Sequence, residues 1–464
     1  MPAWSEALVF LLIVWVFARI IKRNVALFQQ YFIPSSIIGG LLLLITGPQI
    51  FGIVPGSSAE FLSLLPALLI NVVFAGLFLG KPTPGPRQIW QQAGPMIAFG
   101  GTIAWGMYVL GILLTMLLLT PLFGAPPIFG ALLEVSFTGG HGTAAGLAPM
   151  FAELGWPEAT DIALGLATFS IITAVIVGIT IINIYNRRVG RALDRATMAV
   201  QQKRMIKNGY SLVRVSSRFE KNPHELTIVA ILFAVAIAIG WLILRSLVWL
   251  ESIILGDVTD IRFFVHLPLF PLAMFGGLIV QMVLSRTNLI RHVSRVTVQT
   301  IGIIALDLLI ITAIGTMSLN VIGSNFASFI ILALSGVAWI LASFYFLAPR
   351  IFRRHWFVYG ITDTGQAMGM TATGLLLNRL ADPTNRTGVR EAFAYKQLAF
   401  EPFMGGGIVT AMAAIAIVEI GQIPSLIIAS VFTLFWLFVG LSLGSRGFRR
   451  LKRDLRIGSF AIRL

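Results

Sequence analysis

The sequence predicts an all-α polytopic membrane protein. It has about eleven transmembrane helices: two inverted five-helix repeats, each with a re-entrant hairpin, plus one extra C-terminal helix. Three observations carry this prediction. Of 464 residues, 57% are hydrophobic and 11% charged, more apolar surface than a soluble domain can hide from water. Lys and Arg are concentrated in alternate loops between apolar stretches, and the outer loop near 249–262 leans acidic, with Glu251, Asp257 and Asp260 beside Arg262, as the positive-inside rule expects. Short motifs recur in the same order in both halves of the chain, which marks an internal repeat.

The apolar run at 7–18 is read as a mature span and not a signal peptide. No positive charge precedes it, no small-residue cleavage pattern follows, and Arg19, Lys22 and Arg23 lie on its C-terminal side. A spanning helix needs about 20 mostly apolar residues. This places spans near 7–21, 32–52, 61–80, 96–120, 162–185, 226–248, 264–284, 298–319, 326–348, 398–419 and 424–444. The stretches 128–150 and 357–378 are too rich in glycine and hydroxyl residues for a continuous spanning helix and are predicted as the hairpins. The domain reading follows: a first repeat over 1–185, a basic cytoplasmic linker over 186–225, a second repeat over 226–420, and an extra helix with a basic cytoplasmic tail over 421–464.

Charge sets the orientation. With the N-terminus outside, the inner loops carry Lys81 and Arg87, then Arg286, Arg291 and Arg295, then Arg350, Arg353 and Arg354, then Arg379, Arg386, Arg390 and Lys396. Residues Asn186 to His224 hold ten Lys/Arg against two acids, while the outer loops 53–60, 121–127, 151–161, 320–325 and 420–423 hold no Lys or Arg. The net charge of +15 is therefore a topology signal and not a nucleic-acid-binding signal. Some of these cations are also expected to face anionic membrane lipid. There are no cysteines, hence no disulfide and no thiolate metal site.

The repeat is carried by two motif pairs. "PSSIIGGLL" (34–42) pairs with "PLAMFGGLI" (271–279), both in the second span of a half. "GTAAG" (142–146) pairs with "GQAMG" (365–369), both in a hairpin after the fourth span. Five spans separate the halves, so they enter from opposite sides, the architecture of many secondary transporters.

The stretch "SFTGGHGTAAG" (136–146) then has a physical purpose. Irregular backbone at membrane depth is tolerated only where protein or a water-filled cavity satisfies its polar groups. Carbonyls freed at a helix break, with hydroxyls of Ser136, Thr138 and Thr143, can complete an oxygen shell for Na⁺. Helix N-termini aimed into the cavity favour an anion. Glycines at 39–40 and 276–277 are read as close helix packing instead. Four intramembrane acids, Glu134, Asp363, Asp307 and Glu401, are candidate Na⁺ or proton sites; the alternative is that each is paired with a nearby Arg or Lys. His141 is a candidate proton carrier, solute donor or structural donor. Gln366 and Asn378 are candidate amide donors, Thr371 and Thr373 a hydroxyl lining, and Asn71 a bridge between helices. No HExxH or Walker A motif is present, so the chain is read as no enzyme and any transport as gradient-driven. A channel stays open beside the carrier, since paired re-entrant hairpins also build pores.

The same motifs resemble a known family. "SFTGGHGTAAG" closely resembles the first re-entrant motif of bacterial sodium/glutamate symporters of the glutamate:sodium symporter family. "YFIPSSIIGGLLL" (31–43) is similar to its second span, and "TDTGQAMGMTATG" (362–374) to its second re-entrant segment. The resemblance implies uptake of L-glutamate or a related small anion by alternating access in a cell membrane. Na⁺ would be the coupling ion, with no other cofactor. It further implies a homodimer and elevator movement. Its implied substrate-binding residues are Ser136, Thr138, Gly139, Gly140, His141, Gly142, Thr143, Thr364, Gly365, Gln366, Gly369, Thr371 and Thr373. Against the family's pattern, Glu134 stands where a small hydroxyl residue is expected, Asp363 where a histidine is, and Glu401 where an aliphatic residue is. The span after 424 is additional. These departures keep open another carboxylate, coupled to Na⁺ or H⁺.

Overall fold

The computed structural model describes residues 2–30, 32–81, 84–188, 223–255, 263–287 and 293–461, and contains no strand among them. The first half begins with α1 (Ala3–Asn24), α2 (Ser35–Thr46) and α3 (Gly56–Ala75). It continues with α4 (Pro86–Leu114), extended by a π turn over Thr115–Leu119 and a last turn over Thr120–Phe123. A 3₁₀ turn (Pro127–Ala131) leads into α5 (Leu132–Phe137), α6 (Gly140–Gly146) and, after a further short helix, α7 (Ala159–Arg188). The second half runs through α8 (Pro223–Leu255), α9 (Leu269–Arg286), α10 (Arg295–Thr316) and α11 (Phe326–Ala342). Then come a π turn (Ser343–Leu347), α12 (Trp356–Ala367), α13 (Thr371–Ala381), α14 (Val389–Phe400) and α15 (Ile408–Glu419). The chain closes on α16 (Gln422–Ala461).

Nine helices among the described residues are long and apolar enough to cross a membrane. Two of the eleven expected spans differ. The span at 32–52 contains only the 12-residue α2, about 18 Å long against a hydrocarbon core of about 30 Å. Pro34 fixes its start and extended Gly47, followed by Pro48, ends it. The span at 398–419 is divided between α14 and α15 by Gly405–Gly407, with φ of +70° at Gly405 and +102° at Gly406. That left-handed backbone is open to glycine and ends a helix. The linker at 186–225 lies mostly outside the described residues.

Small residues set the helix packing. A Cβ on Gly40 of α2 would lie 2.6 Å from Ile314 of α10. One on Gly277 of α9 would lie 2.2 Å from the Ala75 carbonyl of α3, and one on Gly276 would lie 2.0 Å from the Ala236 carbonyl of α8. The second helix of each half therefore lies on the third helix of the other. The glycine pairs act as close-packing surfaces.

Both halves carry a second shared feature. The π turns end where the Thr120 N–H reaches the Thr115 carbonyl and the Ala348 N–H reaches the Ser343 carbonyl. Each is followed at once by proline, Pro121 or Pro349. Proline has no N–H to give to the i−4 carbonyl, so the ladder slips by one residue there.

Phe99, Tyr108, Phe137, Phe151 and Phe270 form the fully buried centre. In contrast, α16 exposes Ile427, Val431, Leu434 and Phe438. Such an apolar outer face is at home in lipid.

Candidate functional site

The first break is built on α5, every residue of which is buried. Leu132, Leu133, Val135 and Phe137 are packed apolar groups, and Glu134 and Ser136 are fully buried beside them. The helix ends where the N–H groups of Thr138 and Gly139 both donate to the Glu134 carbonyl. Gly140 then takes φ +72° and α6 starts in a new direction. The Thr143 hydroxyl donates back to the Gly139 carbonyl at 3.1 Å.

The Glu134 carboxylate is the joint of this region. It accepts from the Tyr108 hydroxyl of α4 at 2.7 Å, the Gly405 N–H at 3.0 Å and the Thr410 hydroxyl of α15 at 3.1 Å. The Thr410 oxygen in turn accepts the Gly406 N–H at 3.2 Å. The glycine loop thus docks on the first break. A Cβ on Gly405 would lie 3.2 Å from the Thr138 carbonyl, and one on Gly406 2.4 Å from the Thr143 hydroxyl.

The second break, at 368–370, reverses the chain. Asn378 donates to the Thr362 hydroxyl at 3.1 Å, and a Cβ on Gly374 would lie 2.7 Å from the Thr362 carbonyl. Residues 16 apart would be about 24 Å apart in a continuous helix, so α12 and α13 form a tight helical hairpin. Thr371, at the start of α13, accepts from Gln397 at 2.6 Å and donates to Glu401 at 3.0 Å; Gln397 also donates to Glu401 at 3.0 Å. Deeper in, the Lys396 ammonium lies 3.0 Å from the Asp363 carboxylate and 2.8 Å from the Gln366 side-chain oxygen. Both charged side chains are 0% exposed.

The two breaks meet. The nearest atom to a Cβ built on Gly140 is the Gly369 carbonyl oxygen, at 3.3 Å. Around this contact, Ser136 Oγ, His141 Nδ1 and Thr364 Oγ1 are buried without a hydrogen-bond partner among the described residues. Buried polar groups are rarely left so; two of these flank the first break and Thr364 lies on α12, ahead of the second. The other nitrogen of His141 is shared with Thr168 at 2.9 Å. Thr373 lies against Gly369, and Gly365 against Gly374 and Leu377. Gly142 faces Ile70 of α3.

Not every expected site residue is gathered here. Asp307 pairs with Arg19 at 3.3 Å, between α10 and α1. Asn71 donates to the Ala67 carbonyl of its own helix. Among the described residues no group of three or more His, Asp or Glu could hold a metal ion. Any cation shell must draw on carbonyls and hydroxyls. Two cavities of about 700 and 420 Å³ flank Trp105 and Val409 on either side. Their walls are almost wholly apolar and do not suit a carboxylate.

Sequence reasoning missed Lys396, Gln397, Tyr108, Thr168, Thr410 and Gly405. Lys396 was expected in a basic inner loop; it lies on the buried face of α14 instead. The signal was present. Val389, Ala392, Phe393, Lys396 and Phe400 fall at helical spacing on one face, so Lys396 continues an apolar stripe. Tyr108 and Thr168 carry no such signal, because only the tertiary fold brings them to their partners.

Comparison with known proteins adds an independent line. Residues 3–373 match the family described as sodium/glutamate symporter. The sodium/glutamate symporter of Haemophilus influenzae is 23% identical over 415 residues, which cover 86% of this chain and 92% of that protein. The family match includes both breaks. Lys396, Glu401 and Gly405–Gly407 lie beyond it.

Proposed function

The chain belongs to the sodium/glutamate symporter family, and from that premise we propose that it takes up glutamate with Na⁺ at a site formed by its two helix breaks. Members of this family are transporters and not enzymes. The multi-pass helical fold agrees with that membership.

The observation that carries the site assignment is the contact between Gly140 and Gly369. Broken helices from opposite halves of a transporter bring freed backbone groups and helix ends to a common point. The orphaned polar atoms of Ser136, His141 and Thr364 supply donors for a carboxylate. The N-terminus of α13, at Thr371, adds a favourable dipole. Thr138, Gly139, Thr143, Gln366 and Thr373 complete the lining. Of the four candidate acids, Glu134 and Glu401 have no ion-pair partner within 4 Å among the described residues. These two we assign to the coupling cation. Asp307 is already paired with Arg19.

The reciprocal packing of α2 on α10 and α9 on α3, with the matching π turns, supports two halves related by an axis in the membrane plane. In this reading 1–185 and 226–420 are the repeats, with the hairpins re-entrant and the N-terminus outside. Alternating access proceeds by elevator movement in a homodimer embedded in lipid.

The test is uptake of labelled glutamate into proteoliposomes, with and without an inward Na⁺ gradient, against aspartate and citrate competitors. Gradient-dependent accumulation blocked by unlabelled glutamate is expected. Accumulation indifferent to Na⁺, or competed by citrate and not by glutamate, overturns the reading.

A further inference from the structure

The Asp363–Lys396 pair is the most deeply buried ion pair among the described residues. Its surroundings set it apart from Glu134. Among the described residues no hydroxyl or amide donates to either Asp363 oxygen, and the Lys396 ammonium is the charge that compensates it there. That ammonium also bonds to the Gln366 oxygen and sits 3.9 Å over the Phe400 ring, a favourable place for a cation. The backbone of α4 closes the remaining side. A Cβ on Gly100 would lie 2.7 Å from Lys396 Cε and 3.3 Å from an Asp363 oxygen. A side chain there would have to displace the end of Lys396.

We propose that Lys396 is a tethered cation, resident in the position a free cation would otherwise take at Asp363, so that this half of the site adds no coupling ion. Three features carry the proposal: the bare carboxylate, the acceptor oxygen of Gln366 on the same ammonium, and the sealed wall at Gly100. A carboxylate and an amide oxygen are the ligands that hard cations use. Here both are spent on a side chain that cannot leave with the solute. The sequence reading of Asp363 as a free-cation site is thereby replaced. The inference rests on the two breaks being the transport site, and it identifies Lys396 as the residue that limits the number of ions coupled there.

The test is thermal unfolding of purified protein in NaCl against choline chloride at equal ionic strength. The chains compared are the wild type, Lys396→Met and the double variant Asp363→Asn/Lys396→Met. Removing only the ammonium leaves a buried carboxylate that must recruit a cation. Lys396→Met is expected to gain about 5 °C or more of Na⁺-specific stabilisation beyond that of the wild type. The double variant, which has lost both charges, is expected to return to the wild-type Na⁺ shift. A Lys396→Met chain with no added response to Na⁺ overturns the proposal. So does a double variant whose Na⁺ shift falls below that of the wild type, since Asp363 would then bind Na⁺ natively. If Lys396→Met folds in neither salt, the double variant decides alone. A wild type that does not respond to Na⁺, beside a responsive Lys396→Met, sinks the Na⁺-coupling reading and leaves this one standing.

Discussion

Glu134 gives a prediction whose size follows from its three hydrogen bonds. In Glu134→Ala the Tyr108 hydroxyl can re-aim at the Thr410 carbonyl, 3.5 Å away. The Thr410 hydroxyl can turn to a carbonyl of its own helix. The Gly405 N–H cannot move without its loop, and it is left part-buried and unpaired. An orphaned buried donor costs about 1–3 kcal/mol, and the small cavity adds on the order of 1 kcal/mol. The alanine variant is therefore expected to lose about 3 kcal/mol. Glu134→Gln differs in kind. Its oxygen still accepts from Gly405 and Thr410, and its amide donates to a Tyr108 oxygen that can accept as well. It is expected to stay within about 1 kcal/mol of the wild type. If Glu134 also faces the coupling cation, both variants lose Na⁺-dependent stabilisation, and only the alanine variant loses basal stability. Unfolding in detergent with and without Na⁺ reads both quantities. Equal basal loss in the two variants would refute the hydrogen-bond accounting. Undiminished Na⁺ response in Glu134→Gln would refute the cation assignment.

Three further outcomes follow. Gly277→Ala needs α9 to move off the Ala75 carbonyl, 2.2 Å from the added carbon; thermal unfolding should show a loss of about 2–3 kcal/mol. Gly302→Ala, in mid-helix with nothing within 4 Å of its added carbon, should gain about 0.5–1 kcal/mol in the same assay. At Asp382, burial pushes the carboxyl up, but this is outweighed by hydrogen bonds from the Thr387 hydroxyl and N–H and the Arg386 N–H, with Arg390 nearby, which hold it below its usual 3.8. A depressed carboxyl contributes stability above its unfolded value and loses it as pH falls through the folded value. Limited proteolysis of the 382–388 loop should accordingly be slow at neutral pH, quicken below pH 3.8, and be fast at neutral pH in Asp382→Asn.

Much of the fold was legible because lipid leaves few choices. Apolar length located all nine long helices among the described residues, most ends to within about two turns, but α4 starts at Pro86, ten residues before the expected 96, and α16 runs on to Ala461. The two expected spans that differ have local causes. Pro34, Gly47 and Pro48 shorten a stretch whose hydropathy runs on past them. At 405–407 three consecutive glycines could be read as ordinary helix packing, and only φ shows the break. The candidate site was legible where irregular backbone needs glycine, at 139–142 and 365–369. Its charges were not. Lys396 was hidden among topology-setting basic residues, and the partners of Glu134 lie 26 to 276 residues away in sequence. No local pattern encodes such a meeting.

The central claim is that the breaks at Gly140 and Gly369 share one binding site. Its most direct test is equilibrium binding of labelled glutamate, in Na⁺, to folded Gly140→Ala with Gly302→Ala as control. A methyl group at φ +72° strains the backbone by about 1–2 kcal/mol and presses on the Gly369 carbonyl 3.3 Å away. Affinity should fall about tenfold or more in Gly140→Ala and hold in the control. Equal affinity in the two would contradict the account.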